Sequence, residues 1–189
     1  MNTQKIDESA FANQYVSNEY DLYLSEEIGS DVDYRSWFNI LKNANQNDRV
    51  NIHINCYGGN VSTANQIVTF MKLCPAHIEC RMEGMCFSAA TMIFLAGDSF
   101  IVSESSTMMI HAYSIGYGSN KRHEVKIATK HQMKSLDKKF KKDYADFLTK
   151  KEINRMLKGV DLWLSPEEVI ERLNKREEKR KTSLIKDEK

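Results

Sequence analysis

Apolar positions recur along the chain with two distinct periods. Tyr20, Leu22 and Leu24 alternate with polar residues, and Val50, Ile52 and Ile54 do the same, which is the period of a strand with one buried face. Between these two strands, Ser30 or Asp31 caps a predicted helix through Lys42 that turns Trp37, Phe38 and Leu41 inward, and the polar run 43–48 ends it. After the second strand, Tyr57-Gly58-Gly59-Asn60 reads as a turn. It opens a helix whose Ala64, Ile67, Val68 and Met71 fall at i, i+3, i+4 and i+7, with Pro75 at its end.

The same unit repeats. Residues 78–82 read as a strand, 84–87 as a turn and 88–95 as a small apolar helix stopped by Gly97, followed by two short strands at 100–102 and 107–110. Strands alternating with helices predict an α/β fold with a mainly parallel sheet covered by helices. From 121 to 148 runs one long helix, with Met133, Leu136, Phe140, Tyr144 and Phe147 recurring at steps of three or four. Thr149 to Glu152 is a capping box opening a short helix. Ser165 to Glu168 is a second, with proline at the first helical position, so the last helix starts at Pro166. The polar residues 1–19 read as a flexible arm, 20–174 as one domain, and 175–189 as a charged tail, a frayed helix end or disordered segment.

Composition narrows the function classes. A net charge of +1 over 189 residues gives no support to a protein built to neutralise phosphates or acidic membranes. No run approaches the ~20 apolar residues of a membrane helix, and the first 18 residues lack the apolar centre of a signal peptide, so the expected location is the cytoplasm. Cys56, Cys74, Cys80 and Cys86 lack zinc-site spacing and read as reduced core thiols. His53, His77, His111, His123 and His131 show no pairing that would put two imidazoles on one helix face. No metal is expected.

Three pieces can carry chemistry. Ser88, in Gly84-Met85-Cys86-Phe87-Ser88-Ala89-Ala90, sits between a strand and an apolar helix, where a turn would expose its hydroxyl beside the N–H of Ala89. Cys86 and Ala90 stand where an α/β-hydrolase elbow has glycines, so the segment is not that motif. Gly58-Gly59 follows a buried strand and can present a backbone N–H to a ligand with no side chain intervening. His111 closes the apolar run Met108-Met109-Ile110. Taken singly these are a helix cap, a tight turn and a core histidine.

Together, in this order and spacing, they resemble the Clp protease proteolytic subunit (ClpP) family. That family's I-N-S-P-G-G is matched by Ile54-Asn55-Cys56-Tyr57-Gly58-Gly59, its G-x-A-A-S-M-G by the segment 84–90, and its M-I-H-Q-P by Met109-Ile110-His111-Ala112-Tyr113. A glycine-rich segment follows as Gly116-Tyr117-Gly118. The family's aspartate motif is matched at Val160-Asp161-Leu162-Trp163-Leu164-Ser165-Pro166-Glu167-Glu168. The resemblance spans 20–173. It implies a ClpP/crotonase-like fold of ββα repeats with a long protruding handle helix. It also implies Ser88 as nucleophile, His111 as general base, Asp161 orienting the histidine, and the N–H groups of Gly59 and Ala89 as oxyanion hole. No cofactor is implied. The implied setting is a homo-oligomeric chamber of stacked seven-membered rings that degrades unfolded chains delivered by a Clp-type AAA+ ATPase.

Departures from the family pattern fall around the site. Cys56-Tyr57 replaces Ser-Pro, Phe87 replaces a small residue, Tyr113 replaces proline, and the closing Y-G-(L/I)-(V/I)-D is replaced by Arg172-Leu173-Asn174-Lys175-Arg176. Residues 121–158 carry thirteen Lys and Arg against five Asp and Glu, an unbalanced charge for stacked helices. The alternatives are a catalytically inactive Clp-like ring subunit, a crotonase-type acyl-CoA enzyme, or a divergent protease that processes one partner without an ATPase.

Overall fold

The structure is a computed structural model that describes residues 17–113 and 122–187, with side chains for 17–113 and 133–182. The expected arm up to residue 16, the Gly116-Tyr117-Gly118 segment and the start of the long helix at 121 lie outside the described residues.

Six strands form one sheet in the order β1 (Glu19–Leu24), β2 (Arg49–Cys56), β3 (His77–Phe87), β5 (Thr107–Ile110), β6 (Leu162–Leu164), with β4 (Ser99–Val102) also paired to β3. All pairings are parallel except β5 with β6. Even-numbered positions point to one face. Leu22, Leu24, Val50, Ile52, Ile54, Ile78, Cys80 and Met82 are all buried there beneath helices α1 (Arg35–Asn43), α2 (Val61–Leu73) and α3 (Ala89–Phe94). The fold is α/β, a sheet covered by helices, as the alternating pattern requires.

The helix ends follow local chemistry. The first helix begins as a 3-10 turn at Asp31–Tyr34, and the Ser30 N–H donates to the Asp33 carboxylate. Asn60 caps α2 by accepting from the N–H groups of Ser62 and Thr63. Thr149 and Glu152 close the expected capping box on α5 (Lys150–Leu157).

Four features differ from the sequence expectation. The segment 84–87 is strand, since β3 runs on through Gly84 and exchanges β4 for β5 as its neighbour. A Cβ at Gly84 would lie 2.4 Å from Asn55 Oδ1, which accepts the Met85 N–H, so this glycine admits a close crossing where a turn was expected. The strand β6 was not anticipated. The long helix α4 (Arg122–Asp143) ends before Tyr144, and Tyr144, Phe147 and Leu148 reach the core from turns. The last helix α6 (Pro166–Asp187) continues through most of the charged tail. Ion pairs one turn apart, Glu171 with Lys175 and Glu177 with Lys181, line it. Arg176 anchors it by donating to the Leu95 carbonyl at 2.9 Å and lying over the Phe100 ring.

Candidate active site

Ser88 links β3 to α3 and has φ 55° and ψ −125°; among the described residues it is the one non-glycine with positive φ. Such a conformation costs on the order of 1–3 kcal/mol and persists only when its surroundings fix it. They do so from both sides. The Ser88 N–H donates to the Met109 carbonyl at 2.8 Å, which ties the turn to β5. Its carbonyl accepts from the Thr91 N–H at 3.0 Å and from Thr91 Oγ1 at 2.6 Å, and the same hydroxyl lies 2.6 Å from the buried Tyr144 hydroxyl. The sequence placed Tyr144 only in the apolar stripe of the long helix and did not single out Thr91, so neither was assigned to the site. A threonine three residues after the serine is a local signal that could have been used; nothing nearby in sequence points to Tyr144.

The glycine pair meets this turn directly. Gly58 has φ 103° and Gly59 φ 140°, both in the region that favours glycine. A Cβ at Gly58 would lie 2.7 Å from Ser88 Cβ and 2.8 Å from the Phe87 carbonyl oxygen. Gly59 is fixed against Ile28: the Ile28 N–H donates to the Gly58 carbonyl and the Asn60 N–H to the Ile28 carbonyl, at 2.8 and 2.7 Å. Among the described residues, the N–H groups of Gly59 and Ala89 donate to no protein acceptor.

His111 follows the last residue of β5, and its Nε2 lies 2.7 Å from Ser88 Oγ. In the tautomer that leaves Nε2 without a proton, the hydroxyl donates to the ring, the arrangement that primes a serine oxygen for attack on an electrophile. Asp161 immediately precedes β6 and is exposed. The pairing of Ile110 with Leu162, extended by one residue, sets Asp161 opposite His111. No hydrogen bond joins the two, and the ladder stops at Leu162. The structure thus brings Ser88 and His111 together and leaves Asp161 alongside, without the third contact.

The departures around the site have specific partners. The Tyr113 hydroxyl donates to the Asp137 carboxylate at 2.8 Å, close to the Met133 carbonyl, and its ring packs on Phe140. Desolvation, then Asp137, pushes the Tyr113 phenol up to about 12. The residue two after His111 is thereby tied to α4. Phe87 meets Trp163 edge to face, with ring centroids 5.3 Å apart. Tyr57 stands half exposed beside the glycines. Burial pushes the thiols of Cys56, Cys80 and Cys86 up, leaving them poor nucleophiles. Among the described residues no His, Cys, Asp and Glu group could hold a metal ion, and no helix is long and apolar enough to cross a membrane.

The sequence model of the family described as Clp protease matches residues 7–172. No curated relative matches the chain in sequence. Among solved structures, a mutant of ClpP1 from Listeria monocytogenes has a TM-score of 0.65 at 21% identity, over 80% of this chain and 86% of that one. At that identity the likeness is one of fold.

Proposed function

Because the chain belongs to the Clp protease family, we propose that it is a serine endopeptidase acting on unfolded or partner-delivered polypeptides. The observation that carries this reading is the 2.7 Å contact between His111 Nε2 and a Ser88 hydroxyl held on a strained turn. Ser88 Oγ attacks the peptide carbonyl as its proton passes to His111. The oxyanion is received by the N–H groups of Gly59 and Ala89, each worth roughly 10²–10³ in rate by the usual cost of removing one such donor. His111 then protonates the leaving amine, and water, deprotonated by the same imidazole, releases the acyl group. Asp161 turns toward His111 Nδ1 to fix the tautomer when substrate is bound. A homo-oligomeric chamber of stacked rings, served by a Clp-type ATPase, is the setting the family suggests.

The missing hydrogen bond between Asp161 and His111 favours one second reading, an inactive Clp-like subunit. Hydrolysis of an unfolded polypeptide decides between them. Wild type should cleave it, Ser88→Ala should not, and Asp161→Asn should lose on the order of 10²–10⁴ in kcat. Equal residual turnover in wild type and Ser88→Ala contradicts the protease. Wild-type cleavage that survives Asp161→Asn contradicts the third residue alone.

A further inference from the structure

The Ser88 carbonyl and the Ala89 N–H belong to the same peptide unit. Because that unit is planar and trans, the two groups point in opposite directions, and whatever holds the carbonyl also aims the N–H. Thr91 holds it, with its N–H at 3.0 Å and its hydroxyl at 2.6 Å from the carbonyl oxygen. The backbone bond is one that almost any residue at this place in α3 would supply. The hydroxyl bond is not. A helical threonine splits between two rotamers, since its oxygen can turn toward a carbonyl one turn back or away from it.

Tyr144 removes that choice. It comes from the turn after α4, its hydroxyl lies 2.6 Å from Thr91 Oγ1, and both residues are buried. The direction of this bond follows from the protons available. Thr91 has a single hydroxyl proton, and it goes to the Ser88 carbonyl, which has none to give. Tyr144 is therefore the donor to Thr91, and burial pushes its phenol up, so the proton stays in place. The result is a directed chain from the Tyr144 hydroxyl through Thr91 to the Ser88 carbonyl, in which each bond polarises the next. It ends on the one described non-glycine residue at positive φ, where ψ is −125° and something must fix it. The Met109 carbonyl tethers the peptide before Ser88, and the chain tethers the peptide after it.

We propose that Thr91 and Tyr144 are positioning residues that aim the Ala89 N–H at the oxyanion formed on Ser88. The inference rests on the protease reading and adds to it the device that orients one of its oxyanion donors. Both residues act through the Ser88–Ala89 peptide.

The test compares wild type with Tyr144→Phe, Thr91→Val and Thr91→Ser on a fluorogenic peptide. Tyr144→Phe and Thr91→Val should lower kcat roughly tenfold with KM within about twofold, as for a misaimed transition-state contact. Thr91→Ser keeps the hydroxyl and should retain most of the rate. The double variant Thr91→Val with Tyr144→Phe should lose no more than the larger single loss, because the two residues act in series. A peptide aldehyde, whose adduct places an oxyanion on Ser88, should bind both variants more weakly by the factor that kcat loses. The pH midpoint of kcat/KM, set by His111, should not move. A lower unfolding temperature with kcat and aldehyde affinity unchanged overturns the proposal, as does a loss carried by KM or a displaced pH midpoint. A crystal structure of Thr91→Val makes the test independent of turnover. The Ser88–Ala89 peptide should turn from its wild-type orientation, and an unmoved peptide overturns the proposal. A turned peptide in a protein whose wild type hydrolyses nothing would sink the protease reading and keep the hold of Thr91 and Tyr144 on the Ala89 N–H.

Discussion

The open face of the sheet has two halves with opposite chemistry. Over β1, β2 and the first part of β3 it is polar, and most of its groups pair with one another, with the buried Asn51 Oδ1 and Arg81 Nε left without a protein partner. His53 contacts Glu83 at 2.7 Å and Asp21 at 3.1 Å, Asn51 donates to Glu19 and Asp21, Arg81 pairs with Glu79, and the Tyr23 ring stacks on His53. Over the end of β3, β5 and β6 the face carries Phe87, Met109 and Trp163, beside a serine held at positive φ. The first half pairs most of its polar groups with one another, as a face with a structural task does. The second holds a serine turn at positive φ, fixed by the Met109 and Thr91 hydrogen bonds, and an exposed indole that meets one ring, and strain and exposed aromatic area are both features that function retains.

The largest expected effect falls on the reactive half. Gly58→Ala adds a methyl 2.7 Å from Ser88 Cβ at a φ of 103°. It should cost about 3 kcal/mol or more in stability and abolish reaction at Ser88. Thermal unfolding together with active-serine labelling checks this, and a well-folded, reactive variant would break the claim that Gly58 shapes the turn.

Next comes Thr91→Val, which keeps the shape of the side chain and removes the hydroxyl shared by the Ser88 carbonyl and Tyr144. A loss of about 1–2 kcal/mol is expected, with a larger relative fall in kcat than in KM. Denaturant titration and steady-state kinetics measure the two parts. An effect on stability alone would mean that Thr91 serves the core and not the serine.

The smallest effect belongs to the polar half. Burial lowers the His53 pKa, but its hydrogen bonds to Glu83 and Asp21 more than offset this, and the net direction is upward. A raised folded pKa gives stability that is fully present below the ordinary histidine value near 6.5 and is lost as pH climbs through the folded value. The gap in stability between wild type and His53→Gln should therefore be about 0.5–1 kcal/mol at pH 6 and shrink by pH 9. Hydrolysis at a given pH should change little. A gap that widens with pH, or a large loss of activity, would erase the contrast between the two halves.

What the sequence disclosed follows the same division between local and long-range signals. The first β-turn-α unit was legible because it depends on residues within one turn of itself, Gly58-Gly59 after an alternating strand and Asn60 before an apolar helix, whereas Ser88 and His111 stood out by local context and took their roles from the order and spacing of the family's motifs. The strand β6 was not, since Leu162-Trp163-Leu164 is too short to establish a period and pairs only after α4 and α5 have brought it back to β5. The continuation of β3 through Gly84 was hidden because a glycine after a strand usually marks a turn, and the Asn55 side chain that it accommodates comes from another strand. The contacts of Tyr144 with Thr91 and of Trp163 with Phe87 are tertiary and leave no periodic trace. Asp161 was assigned through the family motif alone, and it is the member of the proposed triad that makes no bond to its neighbour.

The central claim is that Ser88 is a nucleophile activated by His111. Treatment of the full chain with a fluorophosphonate, followed by intact mass and peptide mapping, tests it most directly. One adduct per chain on Ser88, absent in Ser88→Ala and strongly slowed in His111→Ala, is the predicted result. No adduct on the folded, assembled protein, or equal labelling with and without His111, would contradict it.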